Sequence, residues 1–446
     1  MIGYTAYMAV LIMHKDLRRF DKCRKYITGT RLIMVKVLFV ILLIAQPEAV
    51  NAVLKQDGYA EINGIVKDAV TGRHVPFASV WITGSHTGTV SNIDGVFTLK
   101  IPGFYKMNEI SISHIGYKKA GFPIDMPESG YREFHIQPHP LPIQELVIKP
   151  TDARSLVVRA LNKVEQNYPG EPWKLTGFYR ETIRQRRDYV SITEAVVDIY
   201  KAPYGCSKGR DMVRIVKGRK SGNVKRADTL LVKLRGGPHV SMLLDIVKNP
   251  ELLISTETVN LYRFELTDII KIDETSNYVV SFSPGAETAY PLYYGKLYIS
   301  VERLAITMAE FSMDLSDSEK AVPSFIFRKP ARLRFTPVNT KYLVSYVEKE
   351  GSYHVSYLRY EIEFMADWRR RLFRTGYAIV SEMAITERSS DNVVRFAADE
   401  AVRPSAVMAD MVPVYFDEDF WGEYNYIEPD RSVEAAIKRL NRQLDW

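Results

Sequence analysis

Histidine is the commonest ligand for a catalytic metal, and this chain of 446 residues contains eight histidines. They are His14, His74, His86, His114, His135, His139, His239 and His354. A zinc peptidase needs two imidazoles, and usually a carboxylate, that converge on the metal. His135 and His139 are four residues apart, but Pro138, Pro140 and Pro142 prevent the helix that would bring them together. No other histidine is in a metal-binding arrangement with Glu or His, so we predict neither a metal site nor a metallopeptidase.

Candidate nucleophiles are equally isolated in the sequence. Residues 84–88 read Gly-Ser-His-Thr-Gly, in which Ser85 is displaced from the centre of a nucleophile elbow and falls at a predicted turn. Cys206 has no family signature around it. Residues 235–238, Arg-Gly-Gly-Pro, lack the lysine that follows a phosphate-binding loop. We therefore predict no catalytic residue and no cofactor site.

Carboxylates leave one enzymatic alternative open. Two carboxyl groups can meet in space without a trace in the sequence, as they do in glycosidases. Glu361 and Glu363 alternate along a predicted strand, and we expect both to face solvent. A hydrolase with a carboxylate site in the C-terminal domain is thus the alternative to a non-enzymatic protein.

The first elements that could position any site are short strands. Apolar and polar residues alternate over 62–66, 78–82, 97–101 and 110–112, the period of a strand with one buried face. Turn-forming residues separate these runs, over 68–72, 84–88 and 92–95. Short strands at this spacing predict a β-sandwich.

The same region carries a specific set of motifs. It contains Ile62-Asn-Gly-Ile-Val66, Ala78-Ser-Val80, Asn92-Ile-Asp-Gly95 and Gly116-Tyr117. It resembles the carboxypeptidase-regulatory-like domain, a transthyretin-like β-sandwich common at the front of Bacteroidetes envelope proteins. The resemblance implies a seven-stranded type of sandwich over residues 58–137 in an exported protein, and it implies no activity. Asn92 stands where the family usually has Asp.

Residues 1–52 are predicted to be a secretory leader. A basic residue, Arg31, precedes an apolar run over 35–45, and small residues around Ala52 follow it. The run is too short to span a bilayer, which needs about 20 apolar residues. Because 33 residues precede Met34, we expect Met34 to be the true initiator. We predict a periplasmic protein, associated with the outer membrane, with no transmembrane segment in the mature chain.

The leader accounts for most of the basic charge. The whole chain has 60 Lys and Arg against 53 Asp and Glu, a net charge of +7. Residues 1–52 hold eight of the basic and three of the acidic residues, which leaves 52 and 50 and a net charge of +2. This balance does not favour nucleic acid as a partner. Cys23 lies in the leader, so the mature chain has one cysteine and no internal disulfide.

A connector and a helix are predicted to follow the sandwich. The prolines predict an extended connector over 138–150 that ends in a strand at 146–148. In the linking segment 151–172, a helix is predicted over 152–167, with Leu156, Ala160 and Val164 on one face and Asp152 or Thr151 as its cap. This helix, together with the Phe-Tyr-Arg-Glu motif at 178–181, resembles the segment after the same sandwich in other Bacteroidetes proteins.

Strand patterns dominate residues 173–400 and predict a larger antiparallel β domain with a few helices, so the predicted fold class is mostly β. Strands are predicted over 189–200, 278–282, 297–301, 306–313, 341–347, 355–364 and 378–385. Two of them, around a tight turn at Glu302-Arg303, resemble the half-barrel of bacterial lipoprotein carriers, which implies an apolar ligand. A helix over 240–247 is predicted to cross the sheet with Met242, Leu243, Ile246 and Val247 on one face.

Residues 401–446 are predicted to be an aromatic segment followed by a helix. The helix covers 430–444, and its stripe of Val433, Ile437, Leu440 and Leu444 is expected to dock on the sheet. Taken together, the sequence predicts a non-enzymatic cell-envelope protein that binds or scaffolds. Its expected partner is an apolar ligand or another envelope protein.

Overall fold

The computed structural model describes twelve stretches of the chain. They are residues 59–102, 109–124, 131–139, 152–205, 209–222, 233–234, 237–272, 275–328, 333–368, 374–404, 406–413 and 420–442. All of them belong to one compact unit, Gln56–Trp446. Several predictions lie outside the described residues, namely the leader with Met34, most of the connector with its strand at 146–148, Cys206 and Leu444.

Seven short strands form the predicted sandwich. They are β1 (Tyr59–Asp68), β2 (Ser79–Ile82), β3 (Gly88–Val90), β4 (Val96–Pro102), β5 (Glu109–Ser113), β6 (Ala120–Pro123) and β7 (Arg132–Ile136). One sheet has the order β4-β1-β7 and the other the order β3-β2-β5-β6. All pairs are antiparallel except β1 with β7, which is parallel.

The core of the sandwich comes from the alternating residues of both sheets. Its buried side chains include Ile62, Val66, Val80, Ile82, Phe97, Leu99, Ile110, Ile112, Phe134 and Ile136. Gly64 is required within β1 because a Cβ atom there would lie 2.5 Å from the Phe97 ring and 2.6 Å from the Phe134 ring. At one corner the Tyr117 hydroxyl donates to Asp68 Oδ2 at 2.9 Å. These residues therefore shape the sandwich.

A ten-stranded antiparallel sheet forms most of the remaining chain. Its strands are β8 (Trp173–Gln185), β9 (Asp188–Lys201), β10 (Met212–Gly222), β12 (Tyr262–Ile272), β13 (Thr275–Pro284), β14 (Tyr293–Ser300), β15 (Ile306–Met313), β17 (Leu333–Lys349), β18 (Ser352–Trp368) and β19 (Thr375–Ser389). Their order is β10-β9-β8-β19-β18-β17-β15-β14-β13-β12. A separate pair joins β11 (Lys233–Leu234) to β16 (Ile326–Arg328). The predicted fold class, mostly β, is confirmed.

Both faces of the large sheet are covered. Helices pack on one face: α1 (Ala153–Leu161), α2 (Val164–Asn167), α3 (Pro238–Leu243) and α4 (Ser318–Phe325). The sandwich and the carboxy-terminal segment pack on the other face. Strand β9 shows the result, because Ala195 and Val197 enter the helix-side core while Val196 packs against Trp421 on the opposite side. Because β9 is covered on both faces, three consecutive apolar residues, Ala195, Val196 and Val197, are all buried in it.

Two predicted helices differ from those observed. The helix predicted over 152–167 begins with the Asp152 cap as expected, since Asp152 accepts from Ser155 N at 3.1 Å, but it is interrupted between Leu161 and Val164. The second piece carries Tyr168 to the sheet, where its hydroxyl donates to Ile306 O at 2.6 Å. The helix predicted over 240–247 ends at Leu243, because the chain turns there to bury Asp245, and Leu243 is 43% exposed.

The carboxy-terminal helix docks on the sheet as predicted. After a short helix α5 (Met408–Met411), the chain ends in α6 (Arg431–Arg442). Val433, Ala436, Ile437 and Leu440 of α6 pack against Ile192 of β9. Within the stretches that the structure describes, helices long and apolar enough to cross a membrane do not occur.

Candidate functional site

The structure describes Ser85, Glu361 and Glu363, three of the residues that the sequence offered for chemistry. No cluster of three or more His, Cys, Asp or Glu side chains suited to a metal occurs in the described part of the chain. Ser85 is 5% exposed, and its hydroxyl donates to Ile82 O at 2.9 Å, so it stabilises the turn between β2 and β3. Glu361 and Glu363 are half-buried on β18 rather than fully in solvent.

A cleft of about 700 Å³ lies on the outer side of the helices that cover the large sheet. Its apolar lining residues are Leu161, Val164, Met242, Leu243, Val247 and Pro250. Its polar lining residues are Arg210, Asp211, His239, Lys248, Asn249, Glu251, Ser255, Thr256 and Glu257. The volume is that of a small-molecule site, and the mixed lining offers a ligand both apolar and polar contacts.

A buried ion cluster links Asp211, which lines the cleft, to the sheet. Lys201 is 4% exposed, and its Nζ lies 2.6 Å from Asp211 Oδ2 and 2.7 Å from Asp245 Oδ2. The hydroxyls of Tyr204 and Tyr346 donate to Asp245 at 2.6 Å and 2.8 Å. Burial alone would lower the pKa of Lys201, but the two carboxylates overcome it and hold the pKa above its usual value. Because the buried charges are paired and hydrogen-bonded, the cluster gives the cleft a rigid base.

A second conspicuous region is the junction of the sandwich with the large sheet. Residues 420–431, which we call the strap, lie between them. On the sandwich side, Asn425 exchanges two hydrogen bonds with the backbone of Lys100, at 2.7 Å and 3.0 Å, and Thr89 Oγ1 donates to Tyr426 O at 2.9 Å. On the sheet side, Trp421 meets Phe178 edge-on with ring centroids 5.2 Å apart. The strap thus contacts both bodies along its whole length.

Arg180 anchors the strap from within the sheet. It is 3% exposed and lies 2.8 Å from Glu194 Oε1 and 3.2 Å from Glu382 Oε1. Its Nη2 also donates to Ile427 O of the strap at 2.6 Å. Burial opposes the charge on Arg180, but the two carboxylates outweigh this effect and raise its pKa. The arrangement joins sheet and strap through one fully satisfied guanidinium.

Comparison with known families identifies the sandwich. The family model described as the CarboxypepD_reg-like domain matches residues 62–148. The chain carries a CarboxypepD_reg-like domain. This match confirms the resemblance seen in the motifs between residues 62 and 117. A search of curated proteins found no match to the sequence.

Solved structures similar to the chain cover a little over half of it. They include a DUF1329 family protein from Desulfovibrio piger, with 11% identity, a TM-score of 0.25 and coverage of 55% of this chain and 96% of that chain. A putative outer membrane lipoprotein-sorting protein domain from Vibrio parahaemolyticus has 8% identity, a TM-score of 0.24 and coverage of 54% and 95%. A LolA superfamily protein from Nitrosomonas europaea has 11% identity, a TM-score of 0.19 and coverage of 55% of this chain and 98% of that chain. TM-scores this low do not establish a shared fold.

Asn92 gains a clear role in the CarboxypepD_reg-like domain of this chain. Its Oδ1 caps the turn by accepting from Asp94 N at 2.9 Å and Val96 N at 3.0 Å, which an aspartate could also do. Its Nδ2 donates to Glu428 O of the strap at 3.1 Å, which an aspartate could not do. The departure from the usual Asp thus adds a contact between the domain and the strap.

Sequence reasoning missed both the ion cluster and the strap contacts. Lys201 is the last residue of β9, Asp211 precedes β10 and Asp245 follows α3, so only the tertiary fold brings the three together. The signal available for the cluster was weak, because a charged residue at the end of an apolar strand usually faces solvent. For the strap contacts, the one signal in the sequence was Asn92, which stands where the resembled family usually has Asp.

Proposed function

We propose that this protein is a non-enzymatic binding protein of the cell envelope whose cleft accepts an amphipathic ligand. The observation that carries this proposal is the 700 Å³ cleft, which is lined by both apolar and polar side chains. Pockets of this size that place a few polar groups against apolar side chains are the usual sites for small molecules. The export signal and the CarboxypepD_reg-like domain support a location in the periplasm, close to the outer membrane.

The packing of the sheet favours a surface cleft over a lipid cavity within the sheet. The helix-side face is filled by the chain's own residues, among them Leu156, Met242, Val259 and Phe325. A carrier that encloses its ligand against the strands would need that face to open. The cleft lies beyond the helices, where Leu243 is 43% exposed, so a ligand reaches it without rearrangement of the core.

The hydrolase alternative has weaker support. General acid catalysis needs an accessible carboxyl group whose pKa is raised towards neutrality. Burial raises the pKa of Glu181, but this residue does not line the cleft, and the Tyr179 hydroxyl lies 2.8 Å from its Oε2. Glu257 lines the cleft, but hydrogen bonding from Ser255 lowers its pKa. Neither residue combines access with the required shift.

Binding can be tested with a fluorescent apolar probe and a charged substitution in the cleft. We expect N-phenyl-1-naphthylamine to bind the purified full chain saturably, with displacement by a lipid extract. Leu243→Glu should weaken probe binding about tenfold or more, since it places a charge among the apolar side chains of the lining. Because Leu243 is already exposed, the substitution should leave the melting temperature almost unchanged.

Val394→Glu is the matched control, because Val394 is 74% exposed and lies outside the cleft. It should bind the probe like the wild-type protein. If both variants lose probe binding equally, or both bind the probe equally well, the cleft is not the binding site. Absence of any probe or lipid binding by the wild-type chain would favour a purely scaffolding role.

A further inference from the structure

Five neighbouring strands of the large sheet end side by side. They are β9, β8, β19, β18 and β17. Adjacent strands are still paired at this end, through Gln185 with Asp188, Gln185 with Tyr377, Ala366 with Thr375 and Leu333 with Trp368. The turn between β8 and β9 also reaches β19, because Arg186 N donates to Gly376 O at 2.8 Å. The strand ends therefore form one continuous row.

Positive charge is concentrated along this row. The last two residues of each strand, with the described residues that adjoin them, include five arginines and two aspartates: Arg184, Arg186, Arg187, Arg334, Arg374, Asp188 and Asp367. We call the five arginines the basic end. The net charge of the row, +3, exceeds the net charge of +2 predicted for the whole mature chain. The charge of this protein is thus unevenly distributed.

Both aspartates of the row already have partners. Asp188 Oδ1 lies 3.2 Å from Arg439 Nη1 of α6, and Asp367 Oδ2 lies 3.6 Å from Arg374 Nε. The other four arginines of the basic end form no ion pair with a carboxylate of the described residues. Arg186, Arg187 and Arg334 are exposed. Their charges are therefore available to an anionic partner.

The turn at Arg186 has a backbone conformation that favours glycine. Gln185 pairs with Asp188, so Arg186 and Arg187 are the two residues of a tight hairpin loop. Arg186 has a φ of 58°, a value that side chains with a Cβ atom rarely adopt and that such loops usually give to glycine or asparagine. Strain of this kind often accompanies a functional surface. An arginine thus occupies a position where glycine would fit with less strain.

The chemistry of the basic end suits phosphate groups arranged in a plane. Every cation in it is arginine, whose planar fork binds phosphate oxygens in pairs. At about 4.8 Å per strand, the distance from the β8–β9 turn to the start of β17 is roughly 15 Å. A row of that length can contact several lipid headgroups at once. Nucleic acid also offers phosphates, but the predicted export of the chain keeps it from nucleic acid.

We propose that the basic end docks on an anionic lipid surface, with its arginines against the phosphate groups of the headgroups. The proposal rests on the predicted export of the chain and is independent of the cleft, which these arginines do not line. Because the contact is electrostatic, binding is reversible and weakens as salt screens the charges. Docking would hold the sheet with its β8–β9 turn towards the membrane.

Sedimentation with vesicles tests the surface, using the exported protein from which the leader has been removed. It should bind vesicles of phosphatidylethanolamine and phosphatidylglycerol at low salt, release them at high salt, and not bind vesicles of phosphatidylcholine alone. Arg186→Gln combined with Arg187→Gln should weaken binding about tenfold or more, since two contacts with the surface lose their charge.

The matched control is Arg159→Gln combined with Arg263→Gln. These two exposed arginines lie on α1 and on β12, the strand at the far edge of the sheet, and their replacement gives the same net charge. The control should bind vesicles like the wild-type protein. Equal loss in both double variants would show that overall charge, rather than the basic end, determines binding, and the proposal would be wrong.

Arg186→Gly separates lipid binding from a structural role of this arginine. It should bind the anionic vesicles about fivefold more weakly but melt no lower than the wild-type protein, because glycine relieves the turn. Leu243→Glu should bind the vesicles normally, so failure of the cleft and failure of this surface are distinguishable. The proposal is also wrong if the wild-type protein does not bind anionic vesicles at low salt. Retention on immobilised polyglutamate without vesicle binding would instead indicate an acidic protein as partner.

Discussion

The side-chain amide of Asn92 donates from the sandwich to the strap, at Glu428 O. Asn92→Asp keeps the cap on Asp94 N and Val96 N but loses the donor to Glu428 O. It also brings a carboxylate against that carbonyl oxygen. We expect the substitution to lower the free energy of unfolding by about 1–3 kcal/mol, the cost of leaving a buried acceptor unsatisfied. Urea unfolding followed by tryptophan fluorescence measures the change.

The control for Asn92 is Asn392→Asp. Asn392 is exposed on a turn after β19. The substitution there makes the same chemical change, from amide to carboxylate, at a residue that does not contact the strap. Its effect should stay within about 0.5 kcal/mol, as for most surface substitutions. An Asn92→Asp protein as stable as Asn392→Asp would contradict a role for the amide in holding the strap.

Glu428 on the strap gives a prediction about pH. Burial raises its pKa in spite of Tyr426 and Arg180, and its Oε2 has no partner among the described residues. A raised folded-state pKa contributes stability that is present below the unfolded value and is lost as the pH rises through the folded value. Glu428→Gln does not titrate. It should therefore match the wild-type protein near about pH 4 and be more stable near about pH 7.

Urea midpoints measured across this range for both proteins check the prediction, with the exposed Glu319→Gln as control. The difference between wild type and Glu428→Gln should grow with pH, whereas the control should run parallel to the wild-type curve. Parallel curves for both variants would show that Glu428 is not buried as a charged group in the folded protein.

At the scale of elements, periodicity predicted the strands better than the helices. Strand β15 was predicted over 306–313 and is observed as Ile306–Met313, because its residues alternate between two environments. Strands β10 and β12 were missed. They lie at the two edges of the sheet, where half-buried residues weaken the alternation that makes a central strand visible.

The helix predicted over 240–247 failed for a reason that local sequence cannot contain. Met242, Ile246 and Val247 are buried as expected, but Asp245 between them must reach Lys201 and the Tyr346 hydroxyl. That long-range cluster ends the helix at Leu243 and leaves Leu243 exposed at the cleft. The most useful residue of the candidate site was therefore placed on the wrong surface by helical periodicity alone. Cleft and junction both depend on contacts between distant segments, which no spacing rule reveals.

At the scale of the whole molecule, the strap joins the sandwich to the sheet through a shared apolar cluster, in addition to the separate core of each. Val90 of the sandwich, Phe178 and Val196 of the sheet, and Trp421 and Ile427 of the strap belong to one buried apolar cluster. The domain boundaries 58–137, 173–400 and 401–446 remain a prediction. We propose that the strap makes the sandwich and sheet unfold together.

Trp421→Ala tests this coupling. Trp421 is 3% exposed and packs on Phe178, so its truncation should cost about 3–5 kcal/mol, as for other buried aromatic residues. We expect calorimetry of the wild-type chain to give one transition, with equal calorimetric and van't Hoff enthalpies. The variant should instead show two overlapping transitions, because the sandwich retains its own core around Phe97 and Phe134. Tyr131→Ala, at a sandwich residue that is 53% exposed, should keep the single transition. A single, merely shifted transition in Trp421→Ala would mean that contacts other than that of Trp421 hold the sandwich and the sheet together.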